Sequence, residues 1–495
     1  MDPNHEKDTK AESQSVATVR GPDSSDEIEL PGGWLYRRPR LFGRWTLPHF
    51  ASPIVQLCYV AFVFFLCPGM YNALSGLGGG GQVDATVADN ATVALYSAFA
   101  IVAFFSGTVC NKLGVRITLG LGCFGYSLYI ASFLSYNHNQ NAVFVIVAGA
   151  ILGVSAALLW AAESVIMISY PHESKKGKSI AIFWMIFNFG AVIGSIVPLA
   201  ENVHSNESGS VGDSTYIAFL VLTAIGMALA LAICNADKIV RHDGSKVIII
   251  KHPTWKSELL GLWEVLKSDY YIVALFPMFL ASNWFYTYQF NDFNLARFNL
   301  RTRSLNSLLY WFSQILGAWV WGTLMDMTFL SRRTRARAGL VGLFAITMGL
   351  WGGGYSFQTT YDRASAAVPS SKLDWTSDNY GGLCVLYIFY GIFDSVWQTY
   401  TYWILGAISN NSRKLAILAG FYKALQSAGA VIVYRMDAEL VSYMGMLAST
   451  WGLCAGSLVF AAPVVWLKIT NHSELKKDLE FSDEVEADLH VKNEV

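Results

Sequence analysis

Residues 142–169 read AVFVIVAGAILGVSAALLWAAESVIMIS, an apolar run interrupted by a single charge, Glu163. Wound as an α-helix at about 1.5 Å per residue, a run this long outspans the roughly 30 Å of bilayer hydrocarbon. Working outward, eleven further apolar runs lie at 50–71, 92–110, 115–135, 179–199, 215–234, 270–290, 305–325, 338–357, 381–404, 414–434 and 443–467. Twelve spans in two groups of six predict an all-α integral membrane protein. The expected organisation is a cytosolic, disordered tail over 1–45 and a six-helix half over 46–234. A linker over 235–269, a second six-helix half over 270–467 and a cytosolic tail over 468–495 complete it.

Composition agrees. The 495 residues are 53% hydrophobic and only 14% charged, with mean hydropathy +0.37, where a soluble domain carries about 25% charged residues. The 16 Trp, 24 Tyr and 30 Phe suit the two bilayer interfaces. A net charge of −1 gives no field favouring nucleic acid. The cysteines (58, 67, 110, 123, 234, 384 and 454) sit in apolar stretches without a CxxC pair or nearby His, so neither a disulfide framework nor a metal site is expected. There is no HExxH, P-loop, GxSxG or His-rich cluster, so no enzyme activity and no cofactor is expected. The polar start of the chain lacks a cleavable signal peptide, which leaves the first apolar run as an uncleaved anchor.

Lysine and arginine set the orientation. With the N-terminus in the cytosol, 28 of the 35 fall in inner segments, so both termini are expected inside. Arg297, Arg301 and Arg303, between spans seven and eight, run against that trend. They either meet an anionic substrate or headgroup, or pair with Asp292 and loop acids. The sequons at Asn90 and Asn206 then face outward as candidate glycosylation sites, while those at Asn410 and Asn471 stay inside. In the linker, Trp255, Leu259, Leu262, Trp263 and Leu266 share one helical face, suited either to the membrane interface or to packing on the bundle.

Charges at bilayer depth cost at least about 2.5–3.5 kcal/mol each, so each asks for a partner or a purpose. Asp394 and Lys423 lie near the middle of spans ten and eleven, which run antiparallel, and an ion pair between them is expected. That pair either only ties the two helices together or changes its proton or counter-ion during a conformational cycle. Gln398 and Gln426 accompany them on the same faces. Glu163 is either a proton-loading acid or a side chain reaching the headgroup layer near Tyr170 and Pro171. Asn188, on the span that also carries Gly190, Gly194 and Pro198, is a candidate cavity residue with Asn283, Tyr286, Gln289 and Gln314. Gly78–Gly81 cannot hold a helix, and they read as a flexible outer gate or a plain flexible loop.

The halves repeat a pattern. Gly107, Asn111, Lys112, Gly114 and Arg116 follow span two, while Gly322, Asp326, Arg332 and Arg333 follow span eight. Both copies place a small residue, a polar or acidic one and then basic ones at a helix end, a gating charge cluster on the cytoplasmic side. They resemble the Gly-x-Leu-Ala-Asp-Arg-x-Gly-Arg-Arg motif of the major facilitator superfamily. Asn111 and Val115 depart from it in the first copy, and Phe329 in the second. The stretches SGLGGGGQ (75–82), AIFWMIFN (181–188), YQFN (288–291), RTRSLN (301–306), WQTY (397–400) and GFYKALQS (420–427) are similar to the Unc-93-like family, closest to its fungal branch. The resemblance covers roughly residues 45–467 and implies the major facilitator fold. It implies one of two functions: secondary transport of a small solute or ion by alternating access, or a non-transporting role as channel regulatory subunit or trafficking chaperone with a membrane-protein partner. The lipid bilayer is the expected surrounding in either case, and the residues do not say which membrane.

Overall fold

The structure is a computed structural model. It describes residues 32–41, 45–171, 176–204, 209–241, 247, 255–327, 329–409 and 412–471. Most of both expected tails, the Asn206 sequon and Asn410 lie outside them.

Every apolar run becomes helical. In the first half these are α1 (Pro53–Gly76), α2 (Thr86–Leu113), α3 (Val115–Asn139), α4 (Ala142–Ser169), α5 (Lys176–Asn202) and α6 (Asp213–Ala232). The linker forms α7 (Trp255–Ser268). The second half holds α8 (Tyr270–Leu295), α9 (Leu300–Met325), α10 (Arg332–Gln358), α11 (Tyr380–Ile408), α12 (Ser412–Ala438) and α13 (Tyr443–Leu467). Strands are confined, among the described residues, to a hairpin of Arg40–Leu41 with Trp45–Thr46, ahead of α1.

The expected twelve uniform spans become ten plain ones, one broken and one polar. Among the described residues ten helices are long and apolar enough to cross a bilayer, and α8, taken together with residues 259–268 of α7, makes at most an eleventh. The α8 segment runs through a 3-10 turn (Tyr270–Leu275), two short α-helices (Phe276–Ala281 and Phe285–Thr287) and a π-helical turn, Tyr288–Leu295. Its axis lies 101° from that of residues 259–268 of α7, so α7 runs across the bundle end. Leu259, Leu260 and Trp263 face outward from α7, while Val265 is buried. The α9 helix is long but opens on Arg301, Arg303 and Asn306.

Two large hydrophobic cores form, one chiefly from residues 51–247 and one chiefly from residues 265–469, beside a small cluster of Ala296, Tyr361 and Ala366. Within the first, Gly190 lets α5 meet α1 backbone to backbone: a Cβ there would stand 2.5 Å from the Phe65 carbonyl oxygen. Across the two cores, α2 packs on α12 and α5 on α9.

The glycine segment corrects the expectation of a flexible loop. Gly78, Gly79, Gly80 and Gly81 all take positive φ, and they fold into a buried turn. The turn is wedged against α8: a Cβ on Gly78 would meet the Phe290 carbonyl oxygen at 2.2 Å. Arg303, 2% exposed, donates from Nε to the Leu77 carbonyl (2.9 Å) and from Nη2 to those of Gly78 (3.3 Å) and Gln82 (3.4 Å). Conformational freedom is used here to shape a tight turn, and the surroundings then remove the flexibility. Gly78→Ala combines left-handed strain with a backbone clash, and should cost about 1–3 kcal/mol of stability. Thermal unfolding of the purified protein in detergent measures it, and an unchanged midpoint would refute the wedge.

Candidate functional site

At mid-length of α8, α11 and α12 the polar side chains join into one chain of hydrogen bonds. The Asp394 carboxylate, fully buried, accepts from Tyr310 Oη (3.1 Å), from Gln314 Nε2 and from Gln398 Nε2 (3.4 Å). The Gln398 carbonyl accepts from Tyr422 Oη and from Gln426 Nε2 (3.2 Å). Gln426 also donates to Asn283 Oδ1 (2.8 Å) and accepts from Lys423 Nζ (2.8 Å).

This arrangement corrects the expected Asp394–Lys423 ion pair. The two charges belong to one network, but two glutamines stand between them. The ammonium lies over the rings of Tyr422 (5.3 Å) and Tyr402 (5.6 Å), where ring faces replace the missing carboxylate. The carboxylate in turn is occupied by neutral donors. A relay of this kind holds both charges without letting them neutralise each other directly.

The broken helix supplies the geometry. Ser282, at the end of the Phe276–Ala281 segment, offers its carbonyl to Gln398 Nε2 (2.8 Å) and its hydroxyl to Trp397 Nε1 (3.0 Å). Gln289 Oε1 lies 2.8 Å from Tyr310 Oη and shares that hydroxyl's single hydrogen with Asp394, which joins Gln289 to the network. Tyr286 stacks on Phe290 beside it. Asn283 reaches the other half, meeting Tyr96 Oη of α2 at 3.4 Å, and Tyr96 stacks on Tyr434 of α12. Asn188 is half-buried on α5 and is not joined to the relay by any described hydrogen bond. Glu163 is buried in α4 apart from the relay, with Ser164 Oγ at 3.4 Å. Tyr310, Tyr422, Tyr96 and Ser282 were not singled out from sequence, because a hydroxyl on an apolar helix face reads as interface or core.

The paired motifs sit at the opposite end of the bundle from the glycine turn. Gly114 (φ 79°) ends α2 and lets α3 start at the next residue. Gly107 is half-buried on α2, Asn111 and Lys112 are exposed near its end, and Gly322 lies near the end of α9. Arg116 donates to the Leu231 carbonyl at the end of α6. In the second copy Arg332 and Arg333 donate to the carbonyls of Gly406 (2.9 Å) and Ile469 (3.1 Å), and Arg335 and Arg337 to those of Met325 and Trp466. No ion pair among the described residues involves Asp326, which ends α9. The expected charge cluster is therefore mostly a fan of guanidinium groups capping carbonyls at helix C-termini, where the helix dipole favours cations. A recess of about 520 Å³ opens beside this first motif, lined by Gly114, Arg116, Tyr170, Asn235 and Asp237, away from the relay.

Neither Arg297, between α8 and α9, nor Arg301 or Arg303, in the first turn of α9, pairs with Asp292, whose ion pair is with Arg363 (3.8 Å). Arg297 lies over the Tyr361 ring (4.8 Å), and Arg303 clamps the glycine turn. Arg301 takes the loop acid Asp374 in a two-pronged bond (2.7 and 2.5 Å). Nearby Lys372 donates to the carbonyls of Leu295 and Ala296; burial and then the charges of Arg303 and Arg297 push its ammonium down to about 8. Asn90 sits in the first turns of α2, its amide bonded to the Thr86 carbonyl (2.9 Å) and to Arg435 (2.8 Å).

The Major Facilitator Superfamily model matches residues 54–362. An UNC93-like protein of Schizosaccharomyces pombe is 53% identical over 88% of this chain and 86% of its own length. The chain belongs to the major facilitator superfamily, within its Unc-93-like family. UNC93-like protein 1 of Arabidopsis thaliana is 41% identical over 86% of this chain and 92% of its own. Among solved structures, a D-xylose–proton symporter covers 84% of this chain and 97% of its own, with TM-score 0.53 and 12% identity. A peptide transporter, solved with alafosfalin, covers 84% and 95%, with TM-score 0.55 and 15% identity. At such identities the likeness concerns the fold. Membership of this family makes the chain a multi-pass membrane protein.

Hydrogen bonds from Arg301 hold the Asp374 carboxyl well below the usual carboxylate range. A carboxyl so depressed stabilises the fold above the unfolded value of about 3.9, and the contribution fades as pH falls below it. Asp374→Asn should therefore lower the thermal midpoint at neutral pH, with a gap to wild type that narrows in strong acid. A gap independent of pH would refute this.

Proposed function

We propose that the chain is a secondary transporter of a small solute or ion, in which the two halves alternate around the Asp394–Gln398–Gln426–Lys423 relay. The observation that carries the reading is the relay itself. A mid-depth carboxylate and ammonium are kept apart by amides, beside a broken helix, with Asn283 touching Tyr96 of the opposite half. Broken helices and polar groups at the midplane are what a transporter needs to bind and release a polar cargo. Separate charges leave room for a cargo carrying both signs, or for a counter-ion, to exchange one amide contact for another. In this reading the motif end faces the cytosol, because most lysines and arginines lie there. Glu163 is a proposed proton acceptor, lying in the same half as Tyr96 but outside the relay.

A second reading, a non-transporting accessory protein, is favoured by one observation. Asn111 replaces the acid of the first motif, and Asp326 of the second makes no ion pair among the described residues.

Thermal stability of the purified protein across a panel of solutes and ions separates the two. A ligand at a hundredfold excess over its Kd raises stability by about 2.7 kcal/mol. The transporter reading expects such a shift for one solute class, lost in Asp394→Asn and in Lys423→Ala, with uptake into proteoliposomes lost in parallel. Uptake that survives both changes removes the relay from the mechanism. No shift from any solute, together with a stoichiometric membrane partner in mild detergent, would favour the accessory reading.

A further inference from the structure

A second polar assembly lies at the glycine-turn end, between the halves. Asn291, in the π-helical turn of α8, gives its amide nitrogen to Asp89 Oδ1 on α2 (2.7 Å) and to Asp437 Oδ2 on α12 (2.9 Å). Its carbonyl accepts from the Gly79 N–H (2.9 Å). One amide thus ties the first half's α2 and glycine turn to the second half's α8 and α12. It has no hydrogen to spare, and it holds two carboxyl groups within reach of each other.

The charges here do not balance. Arg363, in the short helix Arg363–Ala366, meets Asp437 Oδ1 closely and Asp292 Oδ1 at 3.8 Å, with the Tyr443 ring 4.3 Å away. Its Nε is given to the Val441 carbonyl (2.8 Å). One guanidinium, in contact with Asp437 and Asp292 only, is therefore set against three carboxyls (Asp89, Asp292 and Asp437) that are 1%, 0% and 2% exposed. The other groups facing the cluster do not supply a second cation. Arg435 is engaged by Glu439 and Asn90; Tyr361 donates to the Asp292 main-chain oxygen (2.8 Å); Tyr129 of α3 and Tyr434 of α12 contribute phenols.

Three oxygens are left over. Asp89 Oδ2, Asp292 Oδ1 and Asp292 Oδ2 are buried without a hydrogen-bond partner. A buried acceptor without a donor is costly, and a buried ion more so. A proton on one carboxyl supplies a donor and cancels a charge in one step.

We propose that Asp89, Asp292 and Asp437, gathered around Asn291 and Arg363, form a proton-operated latch between the halves. The closed arrangement holds at least one proton, on Asp89 or Asp292, whose oxygens are the unpartnered ones. Its release sets Asp89 of α2 against Asp437 and Asp292 as like charges, and the glycine-turn end parts. The readout is a distance and not uptake, so the latch stands or falls separately from the transporter reading.

The test uses the full chain in lipid nanodiscs, spin-labelled at Val83→Cys and Asp378→Cys, both exposed and one in each half. The seven native cysteines, buried or half-buried, define the background in the unsubstituted chain. Between about pH 5.5 and about pH 8.5 the open-to-closed ratio should rise, by up to about tenfold per pH unit for each proton released. Asp292→Asn combined with Asp89→Asn should flatten the profile and keep the short distance at high pH. A wild-type distribution that ignores pH overturns the latch, as does a slope kept in full by the double variant. Should that variant fail to fold, Glu163→Gln and Asp394→Asn decide: a slope that vanishes in either assigns the proton to that buried acid, and a slope retained in both supports the latch.

Discussion

A guanidinium without a carboxylate holds the two halves in register. Arg303 is buried at the start of α9, and the donors it makes in this structure go to main-chain carbonyls of the glycine turn. Inside a membrane protein a break in helical structure leaves carbonyls that nothing in the lipid can satisfy. The turn between α1 and α2 is such a break, and Arg303 resolves it from the opposite half. The positive φ angles, the seat against Phe290 and the anchoring of Gly79 by Asn291 all depend on that clamp being in place.

The two polar assemblies share a helix and differ in character. The relay around Asp394 is built from amides and hydroxyls, with one carboxylate and one ammonium separated. The assembly around Asn291 is built from carboxyls, with acid in excess of base. The α8 segment serves both because it is irregular. Its break at Ser282–Trp284 exposes a main-chain carbonyl to Gln398, and its π-helical turn is buried on every side, so that Gln289, Asn291, Asp292 and Asn294 all lie within the protein.

Much of this was legible in the sequence, and the omissions have a common cause. Apolar runs locate helices well, since bilayer thickness fixes their length, and charge cost drew attention to Asp394 and Lys423, which the structure links through glutamines instead of in the expected ion pair. Helix ends were cut where hydropathy fell. The runs 92–110, 270–290 and 414–434 stop short of Asp89, Asn291, Asp292 and Asp437, whereas the helices continue to Thr86, Leu295 and Ala438. The whole acidic assembly lies in those discarded turns. The direct ion pair was misread for a different reason: depth along two helices can be computed from sequence, but not the rotation that lets glutamines reach between.

The polarity of α9 has a bearing on how the chain enters the membrane. With two arginines in its first turn, this helix inserts less readily than its neighbours the deeper those arginines are carried, the cost rising to about 2.5–3.5 kcal/mol each at a helix centre. The carbonyls that satisfy Arg303 belong to residues 77–82, which leave the ribosome long before it does. The acceptor is thus synthesised first and waits in the bilayer for its donor. In that order Arg303 meets carbonyls already made, and a second half made alone lacks the acceptors Arg303 has in this structure.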